Sequence, residues 1–260
     1  MIMESYFDDS ADPQRNKFYA CGGFIGGPEQ FDAFEITWGH LTSTLKEPFR
    51  STDCETGHGQ FENVPKAGRD KLMDRLVGVL FSTKLRGFAS IIPIKEYREV
   101  YPASGEHDAF LLALRQAIMN MAFIANQLRN EIRLWFERGP IDSSIDRVYQ
   151  TIVDWKEWEP SKRLRGIKFD TKKCKPLQAA DLIAREAFKH VDNLGVRPTR
   201  IPVRRLEEQG ALYFVLWNRA ALSYLAANGG PSNLELLSKW DALPDAPRLG
   251  PVPIDVPGQD

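Results

Sequence analysis

Asp8, Glu137 and Asp181 invite chemistry because each is an acid where the surrounding pattern is apolar. Asp181 lies in LQAADLIAREAF, a helical pattern whose apolar side carries Leu177, Ala180, Ala184 and Phe188, and steps of three and four put its carboxylate on that side. Burying a charge there is costly unless a cation or several donors compensate. Asp8, next to Asp9, closes a strand pattern at its carboxyl end, where open α/β sheets place ligand sites. Consecutive strand side chains point to opposite faces, so only one of Asp8 and Asp9 can serve a given site, and the pattern before them does not decide which. Glu137 follows directly on the apolar strand in LWFERG and meets Asp8 if the two strands run parallel. Each acid also has a plainer reading: a core ion pair for Asp181, the start of a hairpin for Asp9 and Ser10, and a solvated strand end beside Arg138 for Glu137.

Three convergent carboxylates repel one another and favour protonation unless a divalent cation intervenes. Convergence therefore implies Mg²⁺ or Mn²⁺, since oxygen ligands with no His/Cys cluster favour hard ions over zinc. Asp53, Glu55 and His58, in the segment RSTDCETGHGQFENVP, offer a further contributor from a polar loop. A lone histidine such as His58 is by default a surface residue.

The elements that must position these residues follow from periodicity. Strands are expected over residues 2–9, 17–26, 85–94, 131–136 and 165–169, with a hairpin through SADPQRN. The 131–136 segment reads as buried, and Pro93 suggests an edge or a strand end. Helices are expected from Pro28 (Phe31, Phe34, Trp38, Leu41, Leu45) and over 67–83, 107–128, 143–155 and 177–190, with a loop over 50–65. Strands alternating with helices give the α/β class: a mixed sheet of about five strands flanked by helices. Residues 1–195 form the α/β domain. Residues 196–240 read as a helical extension without strands, and 241–260, with five prolines, as an extended or disordered tail.

The chain has 260 residues, 43% of them hydrophobic, enough for one large core without disulfides. Its three cysteines form no C-x-x-C pair, so neither a disulfide framework nor a zinc knuckle is encoded. The first residues lack a basic-then-apolar leader pattern, and no stretch approaches 18 uninterrupted apolar residues, so a cytoplasmic protein with no membrane partner is expected. Net charge is -1, yet residues 160–205 hold 13 Lys and Arg against 4 Asp and Glu. A basic stretch beside a carboxylate-rich remainder suits a phosphate backbone held near acids that hold cations, although a solvated basic face is the default reading.

The opening YFDDS with a hairpin into FYACGGFIG, then STDCE, then FERG, and finally IKFDTKKCKPLQAADLIA together resemble the bacterial family called domain of unknown function 3800, over roughly residues 3–190. The resemblance implies a ribonuclease H-like fold and a nuclease that hydrolyses phosphodiesters in DNA or RNA with two Mg²⁺ or Mn²⁺ ions. Asp8, Glu137 and Asp181 would then be catalytic metal ligands, joined by Glu55 or, as second choice, Asp53. Lys172 would contact the scissile or an adjacent phosphate, with Lys173, Lys175 and Arg185 also on the nucleic acid. Asp9, Ser10, His58 and Gln178 would support the site, Gln178 by orienting a water or by capping its helix. Asp9 stands where Glu is usual in the family, and Thr171-Lys172 where Ser-Lys is usual. Two alternatives remain: a non-catalytic nucleic-acid-binding or regulatory protein, and a metal-dependent phosphohydrolase of nucleotides. Nothing in the pattern decides between a lone chain, a homo-oligomer and a complex with another protein.

Overall fold

The computed structural model describes residues 1–105, 107–198, 200–208, 210, 212–238 and 248–249. Its centre is a mixed sheet in the order β5-β4-β1-β2-β3-β6-β7. The strands are β1 (Ile2–Ala11), β2 (Phe18–Gly26), β3 (Arg86–Pro93), β4 (Glu131–Glu137), β5 (Leu164–Asp170), β6 (Leu212–Leu216) and the two-residue β7 (Arg248–Leu249). β1, β4 and β5 run parallel, β2 is antiparallel to both β1 and β3, and β6 is parallel to β3. This is a mixed sheet flanked by helices, as expected from the sequence, with β2 alone reversed among its first five strands.

Strand alternation divides the core between the two faces. Phe7, Tyr19, Cys21, Phe88 and Phe136 pack toward α5 (Asp108–Gln127) and α6 (Asp142–Asp154). Tyr6, Ala20, Phe24 and Ala89 pack toward α1 (Pro28–Thr42), α3 (Lys66–Ser82) and α7 (Lys175–Asn193). By length and composition α5 is apolar enough to cross a membrane, but most of it is buried inside the fold, which its nearly uniform apolar composition requires. Asp12 ties the β1–β2 hairpin by accepting the backbone N–H of Asn16 and of Lys17.

Four expectations need correction. The segment taken as a loop over 50–65 contains α2 (Ser51–Thr56) and a 3-10 turn over Gly59–Phe61. Six residues make a poor helix alone, and tertiary contacts hold this one: Arg69 donates to the carbonyls of Cys54 and Glu55, and Gly57 closes it at φ 77°, a conformation open to glycine. A second short helix, α4 (Ile94–Val100), follows Pro93 directly. The extension after 196 is not purely helical. Besides α8 (Ile201–Glu208), α9 (Arg219–Ala227) and α10 (Leu234–Ser238) it supplies β6, whose LYFVL run covers the edge that β3 would otherwise leave open. Finally, β4 is half-buried: Ile132, Leu134 and Phe136 face the core, while Trp135 on the other side donates to Glu4. Of the predicted tail, only Arg248–Leu249 falls within the described residues.

Candidate active site

The structure gathers Asp8, Glu137 and Asp181 around one ammonium. Lys172 Nζ forms an ion pair with Asp8, and lies 3.4 Å from Glu137 Oε2 and 3.7 Å from Asp181 Oδ1. Its side chain is 4% exposed, against 7% for Asp8, 16% for Asp181 and 28% for Glu137.

Local structure explains each approach. The parallel ladder of β1 on β4 ends at Phe7 against Phe136, so the next residues, Asp8 within β1 and Glu137 at the carboxyl end of β4, emerge side by side where the two strands part. The parity question is settled: Asp8 follows Tyr6 to the α7 face, while Asp9 follows Phe7 to the other. Asp181 reaches the cluster because α7 lies unusually close to the sheet. Gly22 pairs with Asp8 across β1 and β2, and a Cβ there would sit 2.7 Å from the backbone of Ala184, one turn beyond Asp181. The second oxygen of Asp181 accepts the backbone N–H of Ser51 at 2.6 Å, which docks the start of α2 on the site.

Lys172 is fixed from behind. Its ammonium also donates to the Leu177 carbonyl at 3.2 Å. The Gln178 amide donates to the Lys172 carbonyl at 2.8 Å and accepts from the Trp38 indole at 2.9 Å. Gln178 therefore positions the Lys172 backbone, and both ends of its amide are engaged in doing so.

The electrostatics favour a cation. Burial drives the Asp8 carboxyl well above the usual carboxylate range, with Lys172 opposing and Asp181 adding to the rise. Burial would lower Lys172, but Asp8, Asp181 and Glu137 together hold it above its ordinary value. Three acids against one ammonium leave the cluster with an excess of negative charge when all are ionised.

Other predicted residues are placed elsewhere. Glu55 does not join the cluster, because Arg185 and Arg200 hold its carboxylate at 2.7 and 2.6 Å. Arg185, expected on the nucleic acid, is for the same reason paired inside the fold, with its side chain 12% exposed. Asp53 sits on α2 and is not among the described carboxylates within ion-pair distance of Lys172. His58 is exposed, 2.7 Å from the Thr56 hydroxyl, as a surface histidine would be. Ser10 continues β1 beyond Asp9. Lys175 donates to the Glu35 carbonyl, and Lys173 is exposed beside the cluster. The 160–205 stretch is thus not one basic face: Lys162, Arg165, Arg200 and Arg205 all meet acids of the fold.

Two cations passed over in the sequence flank the acids. Arg50, 54% exposed, lies 3.6 Å from Glu137, and exposed Arg138 follows it directly, donating to the Phe169 carbonyl. For Arg138 the signal available was its adjacency to a strand-end acid; Arg50, in a segment read as a loop, had none. Next to them a cleft of about 220 Å³ opens on the α5–α6 side, lined by Asp8, Asp9, Glu137, Phe136, His107 and Ile141.

No family model matches the chain, and no curated protein matches it. Among solved structures, a chain in the PCNA:RNase HII complex from Archaeoglobus fulgidus is similar at 15% identity and TM-score 0.37, over 92% of this chain and 89% of its own. Functional assignment therefore rests on the side chains.

Proposed function

We propose that the protein is a divalent-metal-dependent hydrolase of phosphodiester bonds in nucleic acid, of the kind implied by its resemblance to the domain of unknown function 3800 family. One observation carries the reading: Asp8, Glu137 and Asp181 converge on a buried cation where β1 and β4 part. The Lys172 ammonium is a stand-in for a metal, and an all-carboxylate donor set suits Mg²⁺ or Mn²⁺. These three acids would hold the metal, which would supply activation of water and stabilisation of the leaving oxygen. The chain's own exposed cations Arg50, Arg138 and Lys173 would hold the phosphates that flank the scissile one. The adjacent cleft would take a group the size of one base, being smaller than the roughly 300–1,000 Å³ of drug-sized sites.

The test is incubation with labelled single-stranded DNA, duplex DNA and RNA in Mg²⁺ or Mn²⁺, with chelator and Asp181→Asn as controls. Cleavage lost in both controls is expected. An uncut substrate, or an equally active variant, would overturn the reading.

A second reading has an observation in its favour. Because much of the basic stretch is neutralised internally and the cleft is small, the same acids suit single nucleotides or other small phosphoesters. Phosphate released from nucleotides with polynucleotides left whole would support it. Salt-sensitive binding without any metal-dependent cleavage would instead indicate a binding protein.

A further inference from the structure

We infer that Lys172 occupies the cation position of the metal-free site and has to withdraw before a divalent ion enters, so that this lysine sets the protein's metal affinity. The inference rests on the metal site proposed above. Its first support is geometric. Asp8 contacts Nζ directly, while Glu137 and Asp181 stand back at 3.4 and 3.7 Å, whereas a Mg²⁺ shared by the three requires oxygens at roughly 2.0–2.1 Å. Accordingly, among the described residues no three His, Cys, Asp or Glu side chains are arranged to hold one metal ion as they stand. Entry of a metal has to draw the acids inward, and Nζ stands in the space they would close.

Charge gives the second support. An ammonium in contact with Asp8 and a divalent cation on the same oxygen would repel each other across a few ångströms in a site shielded from water. Gln178 and Trp38 fix only the backbone of Lys172, so exchange requires its buried four-carbon stem to turn and its ammonium to leave the Leu177 carbonyl, 3.2 Å away, once the acids have another partner. In the metal-free protein the same ammonium relieves repulsion among three acids, so it stabilises the fold until a metal replaces it.

The full-length protein and Lys172→Met, which keeps a flexible apolar stem without the charge, are titrated with Mn²⁺ by calorimetry. Thermal midpoints are recorded with and without the ion. Affinity should rise about tenfold or more in the variant, the size of effect one neighbouring charge exerts at this range, and the metal-free midpoint should fall and recover with Mn²⁺. Should the variant not fold, wild-type protein with isotope-labelled lysine gives the answer by NMR: Mg²⁺ should abolish the signal of one protected ammonium, assigned with Lys172→Arg. Equal or weaker Mn²⁺ binding by a folded Lys172→Met, or an ammonium signal untouched by saturating Mg²⁺, overturns the inference and leaves the metal site standing. Absence of metal binding in both proteins overturns the metal site itself, and the inference with it.

Discussion

Helix α7 carries two charged clusters only one turn apart, and they are built on opposite principles. Around Lys172, three acids share one buried ammonium, with the exposed Arg50 guanidinium 3.6 Å from Glu137 alone. Around Glu55, two acids meet two arginines: Glu55 with Arg185 and Arg200, and Arg200 with Glu186 at 2.9 Å. The second cluster is balanced and joins α2, α7 and the entry to α8, so its charges satisfy one another. The first has more negative charge than Lys172 and Arg50 together satisfy, and it opens where β1 and β4 part, beside a cleft. On the proposed reading, balance marks a structural tie and imbalance a place for an outside cation, although Glu55 and Arg185 were read from the sequence as parts of the same site as Asp8 and Asp181.

Substitutions that exchange the behaviour of the clusters would break this contrast. The largest effect is expected for Asp8→Asn. Metal-dependent cleavage should fall by about 100-fold or more, as for loss of a principal electrostatic contact, in an assay at saturating Mg²⁺. Glu55→Gln should instead act on the fold. It leaves Arg185 and Arg200 without their shared carboxylate and should cost about 2 kcal/mol in urea unfolding, less than a fully buried pair because Glu55 is 22% exposed, with Mn²⁺ affinity intact. Ile141→Trp, filling the cleft from its half-buried rim, should slow cleavage about tenfold while metal binding persists, the scale of a lost base-sized contact.

The smallest effect concerns pH. Burial pushes fully enclosed Glu186 from the ordinary 4.5 to about 7; Arg200 opposes the rise and Glu55 adds to it, and neither Glu186 oxygen has an aligned hydrogen-bond donor among the described residues. Folded Glu186 therefore binds its proton more readily than the unfolded chain does. Its contribution favours the fold at low pH and fades as pH rises from 4.5 to about 7. Glu55 has the opposite sign. Burial works against its ionisation, but Arg185 and Arg200 outweigh burial and hold it below the ordinary range, so its contribution is lost in acid. Unfolding profiles of wild type and Glu186→Gln should diverge with rising pH by on the order of 1 kcal/mol, the variant lacking the decline. Parallel profiles would show that Glu186 is not the titrating group.

The sequence made the acids legible because a carboxylate on an apolar helix side or at the end of an apolar strand breaks a pattern, and Asp8, Glu137 and Asp181 all do so. It also made the five-strand sheet legible, from runs of strand-forming residues. It hid what depends on distant partners. Helix α2 exists through Arg69 and the Asp181–Ser51 contact, which no local propensity encodes. Glu55 and Asp181 look alike as acids, and only folding brings arginines to one and a lysine to the other. Lys172 reads as part of a basic run because its three acid partners lie up to 164 residues away. The LYFVL run of β6 was visible, but the helices on either side of it obscured it.

The central claim, that the Lys172-centred acids form a cation site, is tested most directly by calorimetric titration of Mn²⁺ into wild type and Asp181→Asn. Saturable binding by wild type, weakened about tenfold or more in the variant, is the predicted result. No saturable binding by wild type, or equal binding by a folded variant, would contradict it.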